Sequence, residues 1–324
     1  MRTGKRDTRL RISERSVRIP TRDWCVVFLG LALMGCEGKA DPSSGTIPAV
    51  PGDEDQSIIT PAHYRASLTF VGTGSRALLL HSALDNRTSA REMRIAYRSW
   101  LRGAEGWTLV LNESSSLPIP RAAWRVVPTS SMRVMIGPAG DVTGLNIADG
   151  ERSIRLRASR VLASWAGATG QPESLLSATL SDGTVTQAGF LLARRGARSA
   201  QSPMPSSRPQ QFLLADTLGN AFLFMRSHVG SGIPATAWTV IDGVENEWPD
   251  LRIEDLDPSR AVSDHWRITL PEAGITGELS GIVPFVDDLA RRDSGVRAYR
   301  VVGTLMVAGQ RRPIVGVGTE ERGP

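Results

Sequence analysis

From residue 62 onward, apolar and polar positions alternate in short runs set off by Gly, Asn, Asp and Pro. This is the period-2 signature of half-buried strands. Such runs cover residues 63–70, 106–111, 131–136, 153–165, 175–180, 186–193, 211–214, 221–229, 235–241, 262–270, 299–307 and 313–318. Asp182-Gly183 supplies a hairpin turn between two of them, and Ala308-Gly309-Gln310 between two more. Helical patterning is scarce. Residues 89–102 mix charges around Met93, Ile95, Ala96 and Trp100 and fit either a helix or a strand pair, and residues 285–292 fit a short helical turn. The pattern predicts an all-β chain.

The strand runs fall into two groups. Residues 197–210, polar with Pro203, Pro205 and Pro209, read as a linker. They separate a first β domain at 62–196 from a second at 211–324, each long enough for about eight antiparallel strands closed as a barrel or sandwich. The two groups share an order of residues. Trp124-Arg125-Val126 with Pro128 parallels Trp266-Arg267-Ile268 with Pro271. Thr179-Leu180, Gly183, Gly189 and Arg195-Gly196 parallel Thr304-Leu305, Gly309, Gly316 and Arg322-Gly323. Duplication and chance both remain open, because Gly and Arg are common in this chain.

Composition rules out disorder: 41% of the 324 residues are hydrophobic and only 22% charged. The formal net charge of +5 suggests an anionic partner until it is located. Residues 1–23 contain eight Arg or Lys and three Asp or Glu, which accounts for all of the +5. Residues 24–35 are uncharged, so the rest carries 30 bases and 30 acids and nucleic-acid binding loses its support.

The basic start followed by twelve uncharged residues, about 18 Å as a helix and too short for a bilayer core of about 30 Å, has the layout of a secretory signal. Its end, Leu33-Met34-Gly35-Cys36, resembles the bacterial lipobox. That resemblance implies cleavage before Cys36 and acylation of its thiol, with 1–35 as signal peptide. Residues 36–61, rich in Gly, Pro, Ser, Asp and Glu, would be a flexible tether. Two or three acyl chains would hold the protein stably on a membrane. Glu37 after the Cys, by resemblance to enterobacterial lipoproteins, implies the outer membrane, facing the periplasm. With Cys25 removed and Cys36 acylated, the body has no thiol, and Lys occurs only at Lys5 and Lys39. Disulfides, thiol nucleophiles and Schiff-base chemistry are thereby excluded.

The tail contains Tyr299, Gly303, a Gly309 turn, then Pro313-Ile314-Val315-Gly316-Val317-Gly318 and Glu320. It resembles the closing hairpin of the carotenoid 1,2-hydratase (hydroxyneurosporene synthase-like) superfamily. The resemblance implies two lipocalin-like barrels in tandem. Asp264-His265-Trp266 resembles that family's Asp-His-x-Trp with one residue missing, and Arg300 stands where a Trp usually follows the Tyr. Asp264 is then a candidate general acid in a dry barrel mouth, and Trp266 a candidate π face for a developing cation. The alternative is an Asp-capped turn leading into a strand with Trp266 in the core.

Other candidates are weaker. His63, His81, His228 and His265 show no ligand spacing, so no metal and no cofactor is expected. Asp250, Glu254, Asp255 and Asp257 read as a solvated acidic loop, and Asp287-Asp288 and Glu320-Glu321 as surface pairs, because neighbours on a strand face opposite sides. Seven Trp lie beyond the leader and would build the core or line a cavity. The expectation is a membrane-anchored envelope lipoprotein that binds or carries an apolar, lipid- or isoprenoid-like molecule. The alternatives are an acid-catalysed hydratase of an isoprenoid-like alkene and a structural module of an envelope complex.

Overall fold

The computed structural model describes residues 62–322, apart from 75, 90, 104–105, 119–125, 137–141, 167–171, 200–209, 227–234, 258–263 and 288–294. The expected leader, Cys36 and the expected tether lie outside the described residues, as do Trp124 and His228. The described residues group as one compact unit.

The described residues form eighteen strands in two antiparallel sheets. The first contains β1 (Ala62–Gly72), β2 (Leu79–Thr88), β3 (Met93–Gly103), β4 (Gly106–Leu117), β5 (Met132–Ile136), β6 (Val142–Asp149), β7 (Arg152–Ala166), β8 (Pro172–Ser181) and β9 (Thr186–Ser199). The second contains β10 (Gln210–Asp216), β11 (Ala221–Arg226), β12 (Thr236–Ile241), β13 (Val244–Trp248), β14 (Arg252–Asp255), β15 (His265–Leu270), β16 (Ile275–Asp287), β17 (Gly295–Val307) and β18 (Gln310–Arg322). The first sheet runs β4-β3-β2-β1-β9-β8-β7-β6-β5 and the second β13-β12-β11-β10-β18-β17-β16-β15-β14. Each is a meander that closes its last strand on its first and stays open between its fourth and fifth. With every neighbour antiparallel, an odd count makes the two edge strands run in the same direction.

The all-β expectation holds, with local corrections. Residues 93–102, one of whose readings was a helix, lie in β3, where Met93, Ile95, Tyr97 and Leu101 are buried and alternate with exposed or half-buried neighbours. Residues 285–287, expected in a helical turn, continue β16. Residues 197–199 and 210 of the expected linker belong to β9 and β10. The turn predicted at 182–183 is held by Asp182, whose Oδ1 accepts hydrogen bonds from the Thr184 and Val185 amides at 2.9 and 2.8 Å. Ala308 and Gly309 both have positive φ, the type I′ geometry that matches strand twist.

Three apolar clusters hold the fold. Two are the sheet interiors, one around Leu68, Phe70, Tyr97 and Leu156, the other around Phe212, Phe224, Trp266 and Tyr299. The third lies between the sheets and draws Val71, Leu79 and Leu192 from one and Leu213, Leu223, Trp238 and Val317 from the other. β10 and β11 contribute to two clusters at once: Phe212 and Leu214 point into their own sheet, Leu213 and Ala215 toward the other. A strand covered on both faces needs apolar residues at successive positions, which explains the unbroken runs at 212–215 and 221–224. Trp165 of β7 stacks on Trp238 of β12 at 4.2 Å between centroids.

The Gly parallel noted in the sequence has a common physical cause. Gly189 of β9 lies opposite Gly72 of β1, and Gly316 of β18 opposite Leu214 of β10. A Cβ at Gly189 would strike the Val71 carbonyl, and one at Gly316 the Leu213 carbonyl. Each sheet closes its last strand on its first at a glycine. The Trp parallel has no such counterpart, because Val126 precedes β5 whereas Trp266 lies in the sixth strand of its sheet.

Candidate functional site

At one end of the second sheet the strands are joined by tight turns: 216–220, 242–243, 271–274 and 308–309. At the other end the connections are longer. There the inward positions change character. Strand alternation places Gln210, Arg226, Asp255 and Arg297 on the same face as Phe212, Phe224, Ile253 and Tyr299, one step nearer that end of the sheet. Asp264 stands one residue ahead of β15. A polar layer therefore caps an aromatic floor.

The polar layer is bonded across strands. Arg226 donates from Nη2 to Asp255 Oδ1 at 3.1 Å and Gln210 Oε1 at 2.7 Å, and from Nη1 to the Ile253 carbonyl at 3.2 Å. Gln210 Nε2 donates to the Tyr299 hydroxyl at 3.1 Å. Arg297 Nη2 donates to Asp264 Oδ1 at 3.0 Å, and the Arg297 guanidinium lies 5.2 Å from the centre of the Tyr299 ring. Asp255, expected in a solvated loop, is a paired member of this layer.

Beneath it, Tyr299 stacks on Trp266 at 5.5 Å and 18°, and Phe212 meets the Trp266 ring edge-on at 4.9 Å. Two glycines admit the stack. A Cβ at Gly281 would lie 3.1 Å from Trp266 Cη2 and 3.2 Å from Tyr299 Cδ2, and one at Gly318 would strike the Tyr299 ring. Burial pushes the Tyr299 hydroxyl above its ordinary pKa, and the hydrogen bond from Gln210 opposes this.

Two buried donors in this cluster have no acceptor on the protein: Trp266 Nε1 and Arg297 Nη1. Trp266 is fully buried and Arg297 is 9% exposed. A buried donor left unpaired costs about 1–3 kcal/mol, so a site with two of them favours a guest that brings an oxygen.

The two residues singled out from sequence enter one cluster, joined through Arg297 and Tyr299. Trp266 faces inward and His265 outward, where His265 Nδ1 lies 3.1 Å from Asp257 Oδ2. Asp264 is half-buried and ion-paired. One face of the Trp266 indole is already covered by Tyr299. Sequence reasoning missed Gln210, Arg226 and Arg297, which lie on three different strands. The only local clue was the spacing of Arg297 and Tyr299 at i and i+2 on one strand face. Among the described residues no cluster of three His, Cys, Asp or Glu could hold a metal, and no helix is long and apolar enough to cross a membrane.

No family model matches the sequence, and no curated protein does. Solved structures with a similar chain path exist. A protein from Nitrosomonas europaea, provisionally assigned as AttH, matches with a TM-score of 0.48 at 13% identity over 86% of this chain and 98% of its own. Kievitone hydratase from Nectria haematococca matches with a TM-score of 0.49 at 10% identity over 80% and 88%. Likenesses of this size identify no activity for the chain.

Proposed function

We propose that the protein is an envelope lipoprotein, tethered through acylated Cys36, whose second sheet binds an apolar molecule bearing a hydrogen-bond-accepting oxygen. The observation that carries the binding reading is the pair of buried, unpaired donors, Trp266 Nε1 and Arg297 Nη1, set among Phe212, Phe224 and Tyr299. A mostly apolar lining with a few fixed polar groups is how small-molecule sites combine affinity with orientation. The anchor would place the mouth beside membrane lipids, a source of such molecules. Mass spectrometry of small molecules extracted from the purified full-length protein tests the reading. An apolar, oxygen-containing compound should accompany the wild type and be depleted from Trp266→Phe, which deletes one donor and keeps an aromatic ring. No compound on the wild type, or equal loading of the variant, would overturn it. Water alone at the two donors is the competing outcome.

A second reading, acid-catalysed hydration of an isoprenoid-like alkene, draws on the position of Asp264 at the same mouth. The Asp264 proton would add to one alkene carbon, water would capture the cation at the other, and the water's proton would return to the carboxylate. With Asp264 engaged by Arg297, binding comes first. The test is Asp264→Asn. Hydration requires an alkene on the variant and a product heavier by one water on the wild type.

A further inference from the structure

A second cluster lies on the opposite side of the barrel wall, where the two sheets face one another. On the outer face of β3, Trp100 is opposite His81 and Arg102 opposite Leu79 of β2, while Trp107 of β4 is opposite Arg102. Phe285 of β16 reaches across from the other sheet. It stacks on Trp107 at 3.6 Å and lies 6.2 Å from Trp100 and 6.0 Å from His81. Arg300 of β17, between the inward Tyr299 and Val301, points to this same side and is opposite Val317, a member of the inter-sheet cluster.

Arg102 and Arg300 depart from how this protein treats its other withdrawn arginines. Arg194, Arg226, Arg297 and Arg312 each face a carboxylate, on Glu173, Asp255, Asp264 and Asp216. Among the described residues, neither Arg102 nor Arg300 has such a partner, and Arg300 Nε is buried without an acceptor. Burial first, and then the Arg300 charge, hold the Arg102 guanidinium below its ordinary pKa. Two like charges brought together in a partly dry, aromatic-walled place destabilise the fold unless an anion joins them.

We propose that Arg102 and Arg300 form a binding site for an oxyanion, the carboxylate or phosphate group of a small molecule whose body rests against the Trp100, Trp107 and Phe285 rings. Guanidinium forks match both anions in bidentate geometry, and the rings supply apolar contact that free phosphate would not use. This site is separate from the second sheet's mouth and stands or falls independently of it.

The test titrates the full-length protein with benzoate and with inorganic phosphate, ionic strength held constant with sodium chloride, reading melting temperature and tryptophan fluorescence. At least one anion should raise the melting temperature beyond the chloride control. Arg300→Gln should weaken that response about tenfold or more, while unfolding no more easily than wild type without anion. Arg155→Gln, on the exposed face of β7, should change nothing. Fluorescence quenching by benzoate would assign a carboxylate with a planar body. A response to phosphate alone would assign a phosphate group. Equal effects of chloride, phosphate and benzoate would overturn the proposal. So would an unchanged response in Arg300→Gln. If that variant does not fold, Arg102→Gln, on the other sheet, decides by the same readout.

Discussion

The contact between Gly318 and Tyr299 sets the geometry of the candidate site, and Gly318→Ala measures it. The two residues are direct partners on β18 and β17, with the ring lying across the glycine. An added methyl would sit 2.7 Å from Tyr299 Cζ and 3.0 Å from its oxygen, against about 3.5–4.0 Å for relaxed carbon contacts. The ring cannot retreat, because Trp266 covers one face and Gln210 holds the hydroxyl. Gly318 is not in the left-handed region, so alanine suits its backbone and the cost is steric. Overpacking of this kind costs about 1–3 kcal/mol. We expect about 2–3 kcal/mol, or about 4–12 °C of melting temperature at the 2–4 °C per kcal/mol of a domain this size. Circular-dichroism melts of wild type, Gly318→Ala, Tyr299→Leu and the double variant close a cycle. In the Tyr299→Leu background the alanine should cost under about 1 kcal/mol, since its methyl then fills space the ring has left. An equal cost in both backgrounds would refute the argument.

Four further outcomes are expected. Burial pushes the Tyr97 hydroxyl up to about 12 from its ordinary 10. The protonated form is thus favoured in the fold, and stability present below pH 10 is lost as pH rises toward 12. Melting temperature should fall over that window, and less so in Tyr97→Phe. Because the third apolar cluster draws on both sheets, calorimetry should show one transition; two well-separated transitions would show that the cluster does not couple them. Arg297→Met removes one partner of Asp264 and should lower stability by about 1 kcal/mol after allowance for the carboxylate's partial exposure, read as a lower melting temperature. Cys36→Ser should move the protein from the membrane fraction to the soluble fraction, and retention in the membrane would sink the tether.

Much of the fold was legible because strand alternation is a local property. In β3 the buried positions 93, 95, 97 and 101 are spaced by two, and the helical alternative rested on charged residues that face outward. β2 escaped notice because its inward face carries Ser82, Asn86 and Thr88 among leucines. Ser82 accepts a hydrogen bond from the Ser99 hydroxyl of the next strand, at 2.8 Å, a partner that local pattern does not reveal. β13 and β14 are edge strands of five and four residues with two acids each, so β13 shows no apolar run and Glu254 and Asp255 of β14 read as loop. The acid at Asp255 looked solvated because its partner, Arg226, is 29 residues away.

By itself, the sequence determined the all-β class, the segregation of the net charge into residues 1–23, and the absence of Cys and Lys from residues 62–324. All of these follow from residue type and period, which act over a few neighbours. Tertiary structure alone decided which polar residues meet above Trp266 and Tyr299, that β10 and β11 are covered on both faces, and that Arg102 and Arg300 stand on the sides that the two sheets turn toward one another. Those outcomes depend on register and on closure of each last strand on its first. The pairing of β1 with β9 and of β10 with β18 joins residues about a hundred or more positions apart, and no local periodicity encodes it.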